Sequence, residues 1–403
     1  MHKKIPYDTA RDIMLELIKP VETEQIPLAD AGGRVLAEDI VAEIDMPPFA
    51  RSPYDGYTFR MADVLLASAE NPVTLRIIEE IPAGCFPRLD ITEGTAAKIL
   101  TGGPVPRGAD TVVRYEAVEF TDDTVTLLAP SLRRDIIEVG EDVVKGTLLA
   151  AAGEKIDPAL FGTLAAHGFS RPSVFKVPRA AIISTGSELV EADEPISGGM
   201  IRNSNRYVLE AACREAGTEP VNLGIAPDSA EGIANLIAKG LKTCDIIIST
   251  GGVSVGDYDL TPDAMKLAGV EIVVRNLDLK PGWACAYGVK DGKAVFCLSG
   301  NPTASITNFY AVVLPCLRKL AGMGRYENRE ITVRLSKPYA KISPQTRLLR
   351  GRLNLTKGEV LMEPVGQGNA MLHDMIGCDV LAVVPAGSAE LPEGTQLKAY
   401  LLN

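Results

Sequence analysis

Residues 249–259 read STGGVSVGDYD and follow the apolar run III at residues 246–248. A buried strand that ends in a glycine-rich loop presents backbone N–H groups to an anion, because glycine has no Cβ to block the approach. Asp257 and Asp259 would repel that anion unless a hard cation such as Mg²⁺ lay between them. The stretch therefore predicts a magnesium-phosphate site. A tight strand-to-helix turn capped by an aspartate is the alternative interpretation.

The sequence around this loop alternates strands with helices. Between residues 179 and 322, the apolar runs AAIIST, PVNLGIAP and DIIISTGG are separated by amphipathic stretches typical of helices. This order predicts βαβ crossovers and a parallel, doubly wound sheet, whose ligands bind beyond the carboxyl ends of the strands. Glu188 follows the first of these strands, Asp228 follows the second, and the glycine loop ends the third. We expect all three polar clusters at one edge of the sheet.

A second anion site is predicted after a hairpin over residues 285–298. The hairpin leads into the sequence SGNP at residues 299–302 and then into a helix predicted over residues 303–320. Free amides and the positive end of the dipole make such a helix start attractive to anions.

Other segments predict a first helix and further β structure. Residues 8–19 carry a helical apolar stripe that Pro20 ends, and residues 28–144 contain short β-rich runs broken by proline and glycine. The tail from residue 329 alternates polar and apolar residues, which is typical of a small β-barrel or sandwich.

Composition narrows the class of protein. The chain of 403 residues has a net charge of −11, which argues against nucleic acid as a partner. Seven cysteines without a C-x-x-C pair suit a reducing cytoplasm, and three scattered histidines offer little to a zinc site or a Ser-His-Asp triad. We find neither a signal-peptide core nor a membrane-spanning apolar run, so we expect a soluble cytoplasmic protein without a membrane partner.

Seven motifs in order resemble the MoeA family of molybdopterin molybdenumtransferases, which includes the E domain of gephyrin. The motifs are RSPYDGYTFR, TGGPVPRGADTVV, VGEDV, STGSEL, STGGVSVGDYD, LKPG and SGNP, and they cover nearly the whole chain. The resemblance implies Mg²⁺-assisted insertion of molybdate into adenylylated molybdopterin, with release of AMP. It also implies an elongated homodimer whose cleft combines an α/β domain of one subunit with β-rich regions of the other. A MogA-type adenylyltransferase, which makes the adenylylated substrate, is a candidate partner.

The implied fold is multidomain, with a MogA-like doubly wound α/β domain, β-rich N-terminal regions and a C-terminal β-barrel. Four domains are expected: a helical and β linker domain (residues 1–45 and 143–177), a β-rich subdomain (46–142), the MogA-like molybdopterin-binding domain (178–326) and the β-barrel domain (327–403).

The resemblance also assigns roles to matching positions. The catalytic candidates are Asp55, Thr101, Asp142, Glu188, Asp228, Asp259 and Lys280. The candidates for binding the substrate are Gly251, Gly252, Ser254, Ser299, Gly300, Asn301, Pro302 and Arg350. The predicted Mg²⁺ ligands are Glu188, Asp228 and Asp259, which would offset the charge of the adenylate phosphate and polarise its phosphorus.

Simpler structural roles are open for several candidates. Glu188 would equally suit a helix start, and Asp228 a loop or a helix cap. Asp55 and Thr101 belong to ordinary turn sequences, and Lys280 would otherwise be a solvated surface lysine.

Three departures from the family pattern lie in the part of the site that is expected to bind the molybdate oxyanion. The usual KPGKP reads KPGWA here, the usual PGNP reads SGNP, and Asn276 stands where many members have a lysine. Losing cations should weaken the attraction for an oxyanion, although the neighbouring Arg275 offers a fork suited to bidentate contact. We expect Trp283 to pack in the hairpin, with stacking on the substrate as the alternative. Arg347 and Arg350 would either bind an anion or lie on the barrel surface.

Three other functions are considered beside molybdate insertion. A tungstate-selective paralogue is suggested by Trp283 and Asn276. A noncatalytic scaffold of the same fold is disfavoured by the acids beside the glycine loop. A simpler nucleotide-cleaving enzyme of the MogA-like type is disfavoured by the additional β-rich and C-terminal regions.

Overall fold

The computed structural model describes residues 1–253, 260–356, 358–366 and 371–402. The chain divides into two compact units: a large unit of Met1–Glu38, Ala152–Phe161 and Ser170–Asn403, and a small unit of Asp39–Ala151 and Gly162–Phe169. Within the described ranges, no helix has the length and apolarity needed to cross a membrane. The four domain boundaries expected from the sequence stay a prediction.

Polar side chains fix where several helices begin. The helices are α1 Tyr7–Leu17, α2 Pro158–Ala166, α3 Ser204–Glu215, α4 Ala230–Thr243, α5 Thr261–Leu267, α6 Pro302–Asn308 and α7 Leu314–Leu320. Asn203 and Ser229 cap α3 and α4, since each side chain accepts a hydrogen bond from a backbone N–H of the first turn. The predicted first helix is confirmed as α1. A π-helical turn, Phe309–Val313, joins α6 to α7, which confirms the helix predicted to follow the SGNP sequence.

Most strands are short and belong to three larger sheets. They are β1 His2–Ile5, β2 Thr23–Gln25, β3 Ile40–Val41, β4 Gly56–Phe59, β5 Val73–Ile81, β6 Thr95–Ile99, β7 Thr111–Arg114, β8 Glu119–Phe120, β9 Thr124–Leu127, β10 Leu148–Ala150, β11 Ser173–Phe175, β12 Arg179–Thr185, β13 Leu189–Val190, β14 Ile201–Arg202, β15 Glu219–Ala226, β16 Ile246–Thr250, β17 Glu271–Leu277, β18 Leu279–Lys280, β19 Cys285–Lys290, β20 Lys293–Leu298, β21 Glu330–Leu335, β22 Thr346–Thr356, β23 Glu359–Pro364, β24 Val380–Val384 and β25 Gln396–Leu401.

The central sheet of the large unit has the strand order β1-β17-β19-β20-β16-β12-β15. Strands β15, β12, β16 and β20 run parallel, as the doubly wound prediction requires. The sheet is mixed rather than wholly parallel, because β19 is antiparallel to both β17 and β20. Asp291 and Gly292 have φ values of 50° and 77°, which lets a two-residue turn reverse the chain and confirms the predicted hairpin.

The isoleucine run of β16 packs against helices on both faces of this sheet. Ile246 and Ile248 join the apolar cluster that includes α1, α3 and α7, whereas Ile247 joins the cluster that includes α4 and α5. All three side chains are fully buried. Burial of a side chain of this size contributes about 1.5–3 kcal/mol, so this strand is a major part of the core.

The C-terminal region forms a closed five-stranded barrel. Strand β22 pairs with both β23 and β24, and the circle is completed by β21 and β25. Its interior is apolar and includes Val333, Leu349 and Met362. The predicted β-barrel is therefore confirmed, and the sandwich alternative is wrong.

The small unit contains a six-stranded sheet in the order β7-β4-β6-β5-β9-β8. Tyr57, Phe59 and Leu75 are buried in its core. This sheet confirms the β-rich N-terminal region predicted from the sequence.

A buried tyrosine pair ties the first helix to the last strand. The hydroxyl oxygens of Tyr7 and Tyr400 lie 2.8 Å apart, and both residues are buried. Burial, and then the hydrogen bond to Tyr400, raise the pKa of Tyr7 well above its usual value, so the Tyr7 hydroxyl stays protonated.

We expect Tyr7→Phe to lower the free energy of unfolding by about 1–3 kcal/mol, because it leaves the buried hydroxyl of Tyr400 without this partner. The double variant Tyr7→Phe/Tyr400→Phe should lose less than the sum of the two single variants, because neither hydroxyl remains to be satisfied. Urea unfolding followed by circular dichroism measures both quantities. Strictly additive losses would show that the two hydroxyls do not depend on each other.

Candidate active site

A cavity of about 870 Å³ opens at the carboxyl ends of the parallel strands. Five segments supply most of its walls: four follow the strands β12, β15, β16 and β20, and the fifth leads into α3. We call this space the sheet-edge cavity. The lining residues that were predicted from the sequence are Glu188, Asp228, Gly251, Gly252, Ser299, Gly300, Asn301 and Pro302. The structure thus brings together the polar clusters that were expected at one edge of the sheet.

Two carboxylates converge on the turn after β12. Gly186 has a φ of 144°, and a Cβ at this position would lie 2.5 Å from Oε2 of Glu188. The backbone N–H of the next residue, Ser187, donates to Oδ2 of Asp228 over 2.8 Å. The carboxylates of Glu188 and Asp228 are therefore held on the same short turn, although they come from different strands.

The helix-start role considered for Glu188 and the helix-cap role considered for Asp228 are both wrong. The residue after Glu188 begins the short strand β13, so Glu188 does not start a helix. Ser229 caps α4 by accepting a hydrogen bond from Gly232 N, so Asp228 is not the cap. Asp228 is instead the loop residue that fixes the turn at Ser187.

The glycine loop is packed tightly against the end of β12. A Cβ on Gly251 would lie 2.3 Å from the carbonyl oxygen of Thr185, and one on Gly252 would lie 3.1 Å from the hydroxyl of Thr185. The N–H of Gly251 donates to the carbonyl of Leu298 over 3.1 Å, so this amide is not available to bind an anion. Gly251 therefore serves the site by lacking a side chain rather than by donating to a ligand. The remaining predicted loop residues, Ser254, Asp257 and Asp259, lie outside the described residues.

The SGNP segment forms the start of α6. Asn301 caps this helix, because its Oδ1 accepts a hydrogen bond from Ala304 N over 3.2 Å. Asn205 was not among the site residues predicted from the sequence. Its amide Nδ2 donates to Thr250 Oγ1 and to the carbonyl of Gly300. Asparagines near a helix start are common capping residues, so the sequence NSN gave no sign of this second role.

A second cavity, of about 490 Å³, lies between residues 280–283, which we call the KPGW loop, and the barrel. We call it the basic cavity, because four cations line it. They are Lys280, Lys341, Arg347 and Arg350. Ser299 and Asn301 line both cavities, so the SGNP segment forms a wall that the two spaces share.

The cations of the basic cavity are placed by strand pairing. Strand β18 runs parallel to β22, which sets Lys280 directly beside Arg347. Arg350 is 5% exposed, and burial lowers the pKa of its guanidinium, while the nearby Asp374 opposes that shift. Its Nη2 donates to the carbonyl of Gly366. The barrel-surface interpretation of Arg350 is wrong, because this side chain is buried and lines the cavity.

A side chain of α6 holds the KPGW loop through a hydrogen bond. Nδ2 of the fully buried Asn308 donates to the carbonyl of Gly282 over 2.9 Å, and Gly282 adopts a φ of 106°. Trp283 packs against the apolar cluster of α4 and α5 and also lines the basic cavity. The packing expected for Trp283 is therefore confirmed. Arg275 donates to the carbonyl of Cys285 and does not line either of these two cavities.

Two predicted residues meet in the small unit. Oδ1 of Asp55 accepts hydrogen bonds from the backbone N–H of Thr101 over 2.7 Å and from its hydroxyl over 2.8 Å. These two donors, the N–H first, lower the pKa of the Asp55 carboxyl. Asp142 lies apart from the pair, in an exposed turn where its N–H donates to the carbonyl of Met46.

The acids of the sheet-edge cavity suit a hard cation that is shared with a phosphate. Across the described segments, no three His, Cys, Asp or Glu side chains gather into a metal site. Glu188 and Asp228 offer carboxylate oxygens on one turn. Because Mg²⁺ is commonly held by one or two carboxylates together with substrate phosphates, these two residues fit that ion.

The fold and the order of its domains match a class of protein described by three family models. Residues 181–319 match a probable molybdopterin binding domain. Residues 5–168 match the MoeA N-terminal region, domains I and II, and residues 332–402 match the MoeA C-terminal region, domain IV. The three matches follow one another along the chain in this order.

Full-length relatives place the chain in the MoeA family. It is 34% identical to the molybdopterin molybdenumtransferase of Staphylococcus epidermidis, over 100% of this chain and 97% of the relative. The corresponding protein of Bacillus subtilis is 31% identical, over 99% of this chain and 94% of the relative. A crystal structure of the molybdopterin biosynthesis MoeA protein from Pyrococcus horikoshii superposes with a TM-score of 0.83 at 30% identity, covering 99% and 100% of the two chains.

Thr101→Val should raise the pKa of Asp55 toward its ordinary value, because the substitution removes the hydroxyl donor and keeps the backbone N–H. Titration of the carboxyl by ¹³C NMR measures this change. Because the pKa is lowered in the folded protein, any stability it supplies is present above the unfolded pKa and is lost as the pH falls through the folded value. Thr126→Val, the same exchange at a threonine of β9 in the small unit, should leave the pKa of Asp55 unchanged.

Proposed function

We propose that this protein inserts molybdate into adenylylated molybdopterin and releases AMP. The observation that carries the proposal is the shared wall: the SGNP segment separates an acid-bearing cavity from a cation-lined one. A substrate that joins a nucleotide to a metal-binding pterin needs two such ends side by side. Membership of the MoeA family and the names of the full-length relatives support the same reaction.

The sheet-edge cavity would take the adenylate. Glu188 and Asp228 would hold Mg²⁺ with the phosphates, and the ion would offset their charge and polarise the phosphorus that is attacked. Gly251 and Gly252 let the ligand approach the backbone closely. Water would then attack the adenylate phosphorus and the bond from this phosphorus to the bridging oxygen would break. The oxygen of the water would stay in AMP, and the bridging oxygen would leave with the phosphate of molybdopterin. We retain Asp259 and Ser254 as predicted members of this site.

The basic cavity would take the oxyanion. Lys280 and Arg347 lie side by side on paired strands, and Arg350 lines the same space. A guanidinium offers several N–H donors in a fixed plane, and an ammonium adds a compact charge, which together suit a tetrahedral dianion. These three cations would attract the oxyanion, although Asn276 and Trp283 stand where the family pattern commonly has lysines.

The first experiment measures AMP release from adenylylated molybdopterin with Mg²⁺, in the presence of molybdate, tungstate or neither. We expect molybdate to stimulate release and molybdenum to remain in the product. Asp228→Asn should lower the rate at least about tenfold, because it keeps the acceptor for Ser187 N but removes the charge. Asp193→Asn, the same change at an exposed position, should behave as the unchanged protein.

Other outcomes would select the alternative functions. Stimulation by tungstate alone would identify a tungstate-selective paralogue. A folded protein that releases no AMP under any condition would favour the noncatalytic scaffold. Release without an oxyanion and without metal in the product would indicate a simpler nucleotide-cleaving enzyme.

We further propose that the active form is a homodimer, in which Asp55, Thr101 and Asp142 face the cleft of the partner. An apolar patch on the small unit supports this proposal. Val41 and Leu148 are directly opposed on β3 and β10 and are 42% and 54% exposed, and Val144 nearby is 60% exposed. Apolar side chains grouped in this way commonly mark an interface.

Leu148→Glu should convert the dimer to a monomer, because it places a charge in the proposed apolar interface. Light scattering coupled to size exclusion measures the mass, and circular dichroism checks the fold. Leu132→Glu, at another exposed leucine of the small unit, provides the control and should leave the mass unchanged. A monomeric starting protein would contradict the proposal directly.

The remaining parts of the proposal concern cellular context. A MogA-type adenylyltransferase would supply the adenylylated substrate, and a cytoplasmic location would suit this exchange. Both stay predictions from the sequence.

A further inference from the structure

We infer that Asn205 is a positioning residue that sets the spacing between the glycine loop and the SGNP segment. Asn205 lies in the first turn of α3 and lines the sheet-edge cavity. Its Nδ2 donates to Thr250 Oγ1 over 2.9 Å and to the carbonyl of Gly300 over 2.8 Å. One amide therefore joins the ends of two neighbouring strands. The inference rests on the proposed function, since it concerns the binding of the same nucleotide.

The orientation of the Asn205 amide follows from its two partners. The carbonyl oxygen of Gly300 can only accept a hydrogen bond. Thr250 Oγ1 donates its proton to the carbonyl of Ser299 over 3.0 Å, so it too must accept from Asn205. Nδ2 therefore faces the loops. Oδ1 accepts no hydrogen bond from the described part of the chain.

The two hydrogen bonds of Asn205 lie beside a close backbone contact between the glycine loop and the SGNP segment. Gly251 follows Thr250 and fits against Thr185 without room for a Cβ. A Cβ on Gly300 would lie 3.3 Å from the Cα of Gly251, so the two loops nearly touch. The N–H of Gly251 also donates to Leu298, just before the SGNP segment. Asn205 adds the side-chain link that holds this backbone contact from the α3 side.

The position of the SGNP segment affects both cavities. Ser299 and Asn301 line the sheet-edge cavity and the basic cavity, and Asn205 holds the carbonyl of Gly300 between them. A shift of Gly300 would therefore change the distance between the two ends of a bound substrate. Asn205 acts through these loops, so it is not assigned a catalytic role.

Asn205→Asp is the most direct test, because it keeps the size and an acceptor but replaces the donating amide. The carboxylate would face the carbonyl of Gly300 and repel it. We expect AMP to bind about tenfold more weakly in the presence of Mg²⁺, as measured by calorimetry. Asn222→Asp is the matched control, because that exposed residue needs only its Oδ1, which accepts from Gly224 N. It should bind AMP as the unchanged protein does.

A second readout needs no ligand. Amide hydrogen exchange of Gly251 should be about tenfold faster in Asn205→Asp than in Asn222→Asp, because the loop pair opens more easily. Amides of the barrel should exchange at the same rate in both variants. Unchanged exchange at Gly251 would overturn the inference whatever the activity of the protein.

A double-mutant cycle separates positioning from direct contact with the ligand. If Asn205 acts through Thr250 and Gly300, the losses of AMP affinity in Asn205→Ala and Thr250→Val should be strongly non-additive. Additive losses would show that Asn205 contacts AMP independently of Thr250 and would overturn the positioning role.

The outcomes distinguish this inference from the proposed function. A protein that binds AMP and shows the expected exchange, but releases no AMP from the adenylylated substrate, refutes the function and retains the positioning role. Normal AMP release with unaltered binding in Asn205→Asp retains the function and refutes the positioning role. A starting protein that neither releases nor binds AMP, together with unchanged exchange at Gly251 in Asn205→Asp, refutes both.

Discussion

The close packing of backbone at one edge of the central sheet is the constraint on which the site depends. The end of β12 meets the start of the glycine loop so closely that Gly251 has no space for a Cβ beside Thr185. Gly300 approaches the same loop from the next strand. Because glycine at both positions adds no side chain to this contact, the loops approach closely enough for their polar groups to reach a single ligand. The parallel pairing of β12, β16 and β20 keeps the strand ends level.

The cations that line the basic cavity are opposite in sign to the net charge of the whole chain. With a net charge of −11, the protein as a whole repels the anions that we propose as substrates. The basic cavity gathers four cations, two of them side by side on paired strands, in the part of the large unit where an oxyanion would enter. The acids lie across the shared wall, where a hard cation would accompany the phosphates. Local arrangement therefore governs attraction, and net charge does not.

Much of the fold could be predicted because its signals are local. The isoleucine run indicated a strand buried on both faces, and the structure places alternate isoleucines in two different apolar clusters. The Asp-Gly turn indicated the hairpin, and alternation in the tail indicated the barrel. Strand β1 was missed, because its sequence HKKI is polar and its pairing with β17 depends on residues far along the chain.

The candidate site was predicted less completely for a related reason. Glycines and acids that follow strands could be grouped from topology, but side-chain links between loops could not. Asn205 joins two strand ends that are 45 and 95 residues away in sequence, and nothing near it in the chain indicates this. The buried Arg350 likewise had an open interpretation until the barrel placed it in a cavity.

The pairing of β1 with β17 has a consequence for how the chain is made. Residues 2–5 pair with residues 274–277, so this segment cannot be buried in register until the chain has been made as far as residue 277. Contacts between such distant residues slow folding, because a long loop must close before they form. Until then β17 has an open edge that another chain could pair with. In the folded protein β1 covers that edge and becomes the edge strand itself, where Lys3 and Lys4 disfavour pairing with another chain.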